Sequence, residues 1–230
     1  MPQSGVRAVH SRRSDPGSSP GENFPCGEGS SSSDEKVLDA VTAAVASERP
    51  RILVAPSPHD AHPGHELVGR AAIGACERRE AAGDDPPRLW LWGLWADLPF
   101  PTIAAAFGEE RMQEVLYCLE AHQDELSRND YRRLVHGRAE MNASLGPERV
   151  FGFGGAGPVR PSGGHVELLC EVLLADGNWL LGESRWLDAE DPLGAQDPLG
   201  AAATGDGAVR TTKPIGEWLH SPSPISARLR

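Results

Sequence analysis

The sequence predicts an α/β sandwich, in which helices cover a parallel sheet, and three observations support this prediction. Helical and strand-like segments alternate through the middle of the chain. The strand-like segments 52–55 and 89–95 are almost entirely apolar, which is typical of parallel strands that are buried on both faces. Two further β-rich runs within 165–187 are separated by Asp176-Gly177, a dipeptide that favours a carboxyl-terminal β-hairpin.

Four helices are predicted from apolar residues that recur at helical spacing. Pro50 and Gly83 mark the ends of the first two, and Pro63 suits the first turn of the second. The third is strongly amphipathic, and the fourth should end near Gly146. The predicted ranges are 34–49, 63–82, 109–126 and 130–143.

The composition divides the chain of 230 residues into three parts. Residues 1–33 are rich in Ser, Gly and Pro, and they carry too little apolar surface to offset the entropy of ordering, so we expect them to be disordered. Residues 34–193 form the predicted domain. Residues 194–230 show little periodicity, and we expect them to form an extended, poorly packed tail.

The charge and the cysteine content argue against several classes of function. The formal net charge of −11 is unsuited to a surface that binds nucleic acid or an anionic membrane. No segment approaches the roughly 20 apolar residues that cross a bilayer, and no signal peptide is visible. The four cysteines are scattered without a Cys-x-x-Cys pair, which is typical of reduced thiols inside cells. We therefore expect a cytoplasmic protein, whose oligomeric state the sequence leaves open.

Three of the chain's eight histidines, His59, His62 and His65, fall within seven residues directly after the predicted strand 52–55. Ligands of open α/β sheets bind outside the carboxyl ends of the strands, where this loop should lie. Imidazole is the commonest protein ligand of zinc, and two histidines three residues apart across a helix start can face the same cleft. Asp60 adds a carboxylate that can fix the tautomer of a neighbouring imidazole. The pattern favours a metal or acid–base site, and a chance cluster on a solvated loop is the alternative.

The segment Asp60-Ala-His62-Pro-Gly-His65 resembles the second motif of the PIG-L/LmbE family of zinc-dependent N-deacetylases, which usually reads Asp-x-His-Pro-Asp-His. Later segments are also similar to the family pattern, so the resemblance extends over about residues 34–193. These later segments are 89–102, 120–123 and 148–153. The resemblance implies a Rossmann-like parallel sheet sandwiched by helices, zinc as the cofactor, and hydrolysis of a small-molecule substrate, an N-acetylated amino sugar or its conjugate.

The resemblance also implies a role for each residue of the motif. His65 matches the zinc ligand, and His62 matches the catalytic histidine that polarises the scissile carbonyl or protonates the departing amine. Asp60 matches the catalytic carboxylate that pairs with His62. Gly64 departs from the pattern, which usually has Asp at that place.

The first motif of the family, His-Pro-Asp-Asp-Glu, has no counterpart in the sequence. In the family it supplies two further zinc ligands and the general base, and it follows the first strand of the sheet. The resemblance therefore implies that this amino-terminal strand is missing here. Because a catalytic zinc site generally needs three protein ligands and a water molecule, the alternative to an active deacetylase is a catalytically inactive remnant or truncated product that acts, if at all, as a binding protein.

Three of the six tryptophans and three of the histidines outside the motif are further candidates for a structural or a functional role. The tryptophans alternate along the second predicted strand, and we expect them to pack in the core, with a wall for sugar stacking as the alternative. These tryptophans are Trp90, Trp92 and Trp95. His122 and His136 lie on predicted helices and are expected to be structural, whereas His165 has no assigned role.

Overall fold

The computed structural model describes residues 30–153, 164–187 and 213–223, which form six helices and six strands. The helices are α1 Ser30–Glu48, α2 Pro63–Ala81, α3 Glu109–Leu119, α4 Gln123–Arg128, α5 Tyr131–Phe151 and α6 Gly216–His220. The strands are β1 Ile52–Pro56, β2 Arg88–Trp92, β3 Ile103–Phe107, β4 His165–Ala175, β5 Asn178–Leu181 and β6 Arg185–Trp186. None of these helices is long and apolar enough to cross a membrane.

The strands form one open sheet in the order β1-β2-β4-β3-β6, with β5 beside the second half of β4. β1 is parallel to β2 and β3 is parallel to β6, whereas β4 is antiparallel to β2, β3 and β5. All described strands except β4 therefore run in one direction, which confirms an α/β fold with a mostly parallel sheet flanked by helices. The hairpin is also confirmed, because Asp176 and Gly177 join β4 to β5 with positive φ angles of 51° and 72°.

The sequence does not predict β3 or the break between α3 and α4. The segment 103–107 reads Ile-Ala-Ala-Ala-Phe, and alanine favours helices over strands. It forms a strand because β4 and β6 both pair with it, so tertiary pairing overrides the local propensity. The predicted helix 109–126 ends early because a turn follows Leu119, in which the backbone N–H of His122 donates to the Leu119 carbonyl at 2.9 Å.

α5 continues past Gly146, where we expect it to end, and runs through Pro147 to Phe151. Pro147 removes one backbone donor, and the packing of Val150 against β3 and β4 compensates for that loss. A Cβ at Gly146 would lie 3.1 Å from Cδ2 of Leu168, so this glycine lets α5 approach β4 closely. The glycine therefore has a packing role and does not end the helix.

Part of the segment predicted as an extended tail packs against the domain. Pro214 forms a β-bridge with Leu180, and α6 follows directly. Ile215 and Leu219 are buried in the main core, which partly buried Trp218 also contacts. This correction has a local cause, because these three apolar residues recur at helical spacing and give the short helix one apolar face.

At the other end of the chain, α1 begins at Ser30, within the segment 1–33 that we expect to be disordered. α1 packs against α2 and so belongs to the domain. Residues 1–29 lie outside the described residues, as do 188–193 at the end of the predicted domain and 194–212 and 224–230 of the predicted tail.

Two clusters of buried side chains form the core of the described residues. The larger cluster joins α2 and α6 to β1, β2, β4 and β5. The smaller cluster joins α5 to β3, β4 and β6. Because α2 packs on β1 and β2 through the larger cluster, the core fixes the junction between the carboxyl end of β1 and the start of α2.

Candidate functional site

The histidine loop, residues 57–65, leads from the carboxyl end of β1 into the first turn of α2, as the sequence predicts. The backbone N–H of Ser57 donates to the carbonyl of Trp92 at 2.6 Å, which ties the loop to the end of β2. Gly69 of α2 packs closely against the carboxyl end of β1, since a Cβ at this residue would lie 2.5 Å from the carbonyl oxygen of Pro56. The loop is therefore held between two strand ends and a helix.

Asp60 anchors the histidine loop. Its side chain is fully buried, and its Oδ1 accepts hydrogen bonds from three consecutive backbone N–H groups at 2.7, 2.8 and 3.0 Å. The three donors are Leu94, Trp95 and Ala96. Its Oδ2 lies 2.6 Å from Nδ1 of His65. With both oxygens engaged, the carboxylate is held in one orientation, and it sets the position of the His65 ring.

Asp60 pairs with His65, which corrects the expected pairing of Asp60 with His62. The cause is the backbone at the start of α2. His62 is the N-cap residue with an extended conformation, and its Nδ1 accepts a hydrogen bond from the backbone N–H of His65 at 3.4 Å. The His62 ring is therefore turned over the first helical turn, and the buried carboxylate is left to His65.

The contact with Asp60 determines which nitrogen of His65 is available to a metal. Because an ionised carboxylate can only accept, Nδ1 is the donor of this contact, and in the neutral ring Nε2 has the free lone pair. Metal-ligating histidines usually have this carboxylate partner, which fixes the tautomer and raises the basicity of the coordinating nitrogen. The side chain of His65 is 27% exposed, so solvent reaches the ring.

The rings of His62 and His65 lie side by side, with their centroids 4.5 Å apart, as the spacing predicts. The ring of Trp95 is nearly parallel to that of His62 at 6.4 Å, and Trp95 is 44% exposed. Tyr131 of α5 meets Trp95 edge-on at 5.8 Å. The imidazole pair therefore borders an exposed aromatic surface.

The three tryptophans of this region have different environments. Trp90 is buried, and its Nε1 donates to Oε1 of the buried Glu171 at 2.9 Å. The rings of Trp92 and His65 meet in a T-shaped arrangement, with a centroid distance of 5.1 Å. Trp95 lies beyond the end of β2 and is exposed. Trp90 therefore packs in the core, as predicted, whereas Trp95 presents a face to solvent.

His59 is held by α6 and does not join the imidazole pair. Its Nε2 lies 2.6 Å from the carbonyl oxygen of Trp218, and the two rings are 4.8 Å apart. Burial lowers the pKa of His59 below its usual value of 6.5, although the hydrogen bond to Trp218 acts in the opposite direction. His59 is therefore neutral at pH 7 and connects the loop to the carboxyl-terminal helix.

A second group of ionisable side chains lies at the same end of the sheet, because β1 and β3 run in the same direction. Glu109 begins α3 directly after β3, and His165 begins β4 opposite Phe107 of β3. His136 of α5 completes the group, and one ligand atom from each of the three ionisable residues lies within 4.8 Å of the others. Glu109, His136 and His165, called here the Glu109 cluster, could hold a metal ion.

The Glu109 cluster combines buried and exposed members. His165 is 5% exposed, whereas the side chain of Glu109 is 63% exposed. Nε2 of His165 lies 3.0 Å from Oε2 of Glu109. Hydrogen bonds from His165 and Gln113 lower the pKa of the Glu109 carboxyl group. The sequence does not reveal this cluster, because its members come from distant parts of the chain.

The two groups offer different chemistry. The histidine loop provides one oriented imidazole nitrogen with a second imidazole beside it, and the Glu109 cluster provides two imidazole nitrogens and a carboxylate oxygen. No protein-family model matches the chain, and neither a curated protein nor a solved structure matches it. The resemblance to the PIG-L/LmbE family therefore rests on the residues of the sequence motifs.

Proposed function

We propose that the histidine loop is part of the active site of a zinc-dependent N-deacetylase, which removes the acyl group from an N-acetylated amino sugar or its conjugate. In this proposal His65 is the zinc ligand and His62 acts on the scissile amide. The observation that carries the proposal is the 2.6 Å contact between Oδ2 of Asp60 and Nδ1 of His65.

The Asp60 carboxylate prepares His65 for coordination before a metal binds. Three backbone N–H groups hold the carboxylate, and the carboxylate holds the imidazole. Coordination then needs no reorientation of the ring, and the negative charge behind it strengthens the attraction between Nε2 and a cation. A chance cluster of solvated histidines would not require a fully buried and fully bonded carboxylate.

In this proposal His62 handles a proton of the substrate. Its Nδ1 accepts the backbone N–H of His65, so in the neutral ring the proton sits on Nε2. From this neutral ring, Nε2 can donate a hydrogen bond to the amide oxygen as charge develops there. A ring that is also protonated at Nδ1, and so gives up its contact with the His65 N–H, can transfer the Nε2 proton to the departing amine nitrogen. Zinc, when bound, lowers the pKa of a coordinated water and polarises a carbonyl group. The exposed ring of Trp95 offers a flat apolar face for the sugar beside this pair.

The histidine loop does not complete a catalytic zinc site. Such sites usually have three protein ligands, and a general base typically contributes about 10²–10⁴-fold in rate. Asp60 is not available as that base, because both of its oxygens are engaged in hydrogen bonds. We therefore expect the 230-residue chain to bind zinc weakly at His65 and to release acetate slowly.

Acetate release from N-acetylglucosamine conjugates, measured with zinc in excess, tests the proposal. We expect slow release that His65→Ala abolishes and that His62→Ala lowers by about 10²-fold or more. His122→Ala is the matched control, because His122 is exposed and its side chain makes no capping hydrogen bond at α4. Release that persists in the His65→Ala variant would contradict the proposal.

Metal binding at His65 gives a second readout that does not require turnover. The imidazole resonances of His65 should shift during a zinc titration, and Asp60→Asn should weaken this binding by about 10–100-fold. The absence of any zinc-dependent change at His65 would rule the ligand assignment out. Zinc-independent binding of the sugar conjugate without acetate release would instead favour a non-catalytic binding protein.

A further inference from the structure

We propose that the Glu109 cluster is a separate binding site for a divalent transition-metal ion of the zinc class, with Glu109, His136 and His165 as its ligands. The site is independent of the proposed deacetylase function, because none of its residues belongs to the histidine loop. The spacing of the three side chains, their supporting contacts and their donor atoms each lead to this inference.

One pair of the three side chains has the spacing of zinc ligands, and the third side chain lies within reach of both. In a tetrahedral site with bonds of ~2.0–2.1 Å, neighbouring ligand atoms lie about 3.3 Å apart. Nε2 of His165 and Oε2 of Glu109 are 3.0 Å apart, and all three ligand atoms lie within 4.8 Å of one another. The side chains of His136 and Glu109 are 36% and 63% exposed, so both have room to rotate and close the remaining distance.

Glu109 and His136 each have a further contact with a residue outside the cluster. Nε2 of Gln113 donates to Oε1 of Glu109 at 2.6 Å, which leaves Oε2 for His165 or a metal. Oε1 of Glu140 lies 3.6 Å from Nδ1 of His136, and a small movement would let it accept from that nitrogen and leave Nε2 available to a metal. Neighbours of this kind orient metal ligands and select the coordinating atom.

His165 gives the cluster its rigid end. It is the first residue of β4, it pairs with Phe107 of β3, and the two rings lie 5.5 Å apart. Although the ring is buried, its Nδ1 has no hydrogen-bond partner among the described residues. An exposed carboxylate such as Glu109 stabilises a partner only weakly, so its pairing with His165 does not account for burying this polar ring. Coordination of an ion through Nε2, the nitrogen that faces Glu109, would give this buried ring a stronger partner than an exposed carboxylate.

The donor atoms select the class of ion. Two imidazole nitrogens with one carboxylate oxygen suit zinc and the neighbouring transition metals, whereas magnesium and calcium prefer oxygen ligands throughout. Three protein ligands leave a fourth position for water or for a donor group of a bound molecule. The exposed side chain of Glu109 gives an ion a direct path from solvent.

Equilibrium dialysis against zinc, performed in the His65→Ala background, tests the second site without a contribution from the histidine loop. We expect one zinc per chain, with a Kd that Glu109→Gln and His136→Ala each raise by about tenfold or more. Glu110→Gln is the matched control, because Glu110 is an exposed glutamate next to the cluster. The Kd for zinc should not change in this variant.

Cobalt(II) absorption gives a second readout, because the tetrahedral spectrum should appear in the background chain and disappear in the Glu109→Gln and His136→Ala variants. Glutamine has the shape of glutamate and His136 is partly exposed, so both variants should fold, which circular dichroism can verify. The proposal is overturned if the background chain binds no zinc, or if the two variants bind it as tightly as the background chain.

Discussion

The histidine loop and the Glu109 cluster lie at the same end of the sheet, but they hold their histidines in different ways. In the loop, the buried group is the carboxylate of Asp60, and four hydrogen-bonding contacts fix it and the His65 ring. In the cluster, the buried group is the imidazole of His165, and the carboxylate of Glu109 is exposed. The loop therefore has a rigid anchor and one free ligand atom, whereas the cluster has three ligand atoms and a less constrained arrangement.

This difference separates two requirements of a metal site. A fixed orientation favours reactivity, because the coordinating group needs no reorganisation. The number of protein ligands determines how tightly the ion is held. We therefore expect catalysis at the histidine loop and tighter binding of a metal ion at the Glu109 cluster.

The largest expected effect on stability comes from removing the anchor of the loop. Asp60→Ala leaves three backbone N–H groups without their acceptor, and each unpaired buried donor costs about 1–3 kcal/mol. Because water can reach part of this loop, we expect the free energy of unfolding to fall by about 2–4 kcal/mol in urea denaturation.

Asp97→Ala is the matched control for that change. Its side chain is 61% exposed and lies 3.4 Å from Arg138, so the free energy of unfolding should change by less than about 0.5 kcal/mol. Similar losses in Asp60→Ala and Asp97→Ala would show that Asp60 does not anchor the loop.

Two glycine substitutions compare the packing around the two groups. Gly69→Ala would bring a Cβ to 2.5 Å from the carbonyl oxygen of Pro56, so we expect thermal unfolding to show a loss of about 1–3 kcal/mol. Gly137→Ala, next to His136 on α5, meets no atom within 4 Å and should stabilise the helix by up to about 1 kcal/mol. Equal effects of the two changes would contradict the tight packing that we describe around the histidine loop.

The stability that each of the two groups contributes should depend on pH in a different range, and these effects should be smaller than those of the substitutions above. The pKa of His59 is lowered in the folded state, so the unfolded chain takes up the proton first, and stability should decrease as the pH falls through 6.5. The pKa of Glu109 is lowered from 4.5, so its pairing with His165 is retained until the pH falls below that value. Denaturation at a series of pH values should show the decrease in stability below pH 6.5 that comes from His59. His59→Gln should remove this decrease, whereas His122→Gln should not.

The histidine loop could be predicted from the sequence because its residues are contiguous and follow an apolar strand. Position in the chain was enough to place His62 and His65 side by side at the end of β1. The partner of Asp60 could not be predicted in the same way, because it depends on the direction of side chains at the start of α2. The expected partner His62 and the observed partner His65 are three residues apart, and the N-cap geometry of His62 decides between them.

The Glu109 cluster could not be predicted because it depends on the pairing of β3 with β4. The alanine-rich segment 103–107 has no strand signal of its own, and its register with β4 is what brings His165 beside Glu109. The continuation of α5 past Gly146 has a similar origin, since contact with β4 favours the helix there. Elements whose conformation is set by distant partners are the ones that local patterns miss.

Zinc binding by four chains tests most directly the claim that the two groups act separately. The chains are the wild type, His65→Ala, His136→Ala and the double variant, each titrated by equilibrium dialysis. We expect the wild type to bind two zinc ions of different affinity. The more tightly bound ion should be retained in His65→Ala and lost in His136→Ala, whereas the more weakly bound ion should be lost in His65→Ala and retained in His136→Ala. The double variant should bind neither, because the two effects are additive for independent sites. Loss of the same zinc in both single variants would contradict the account, since it would mean that His65 and His136 serve one site.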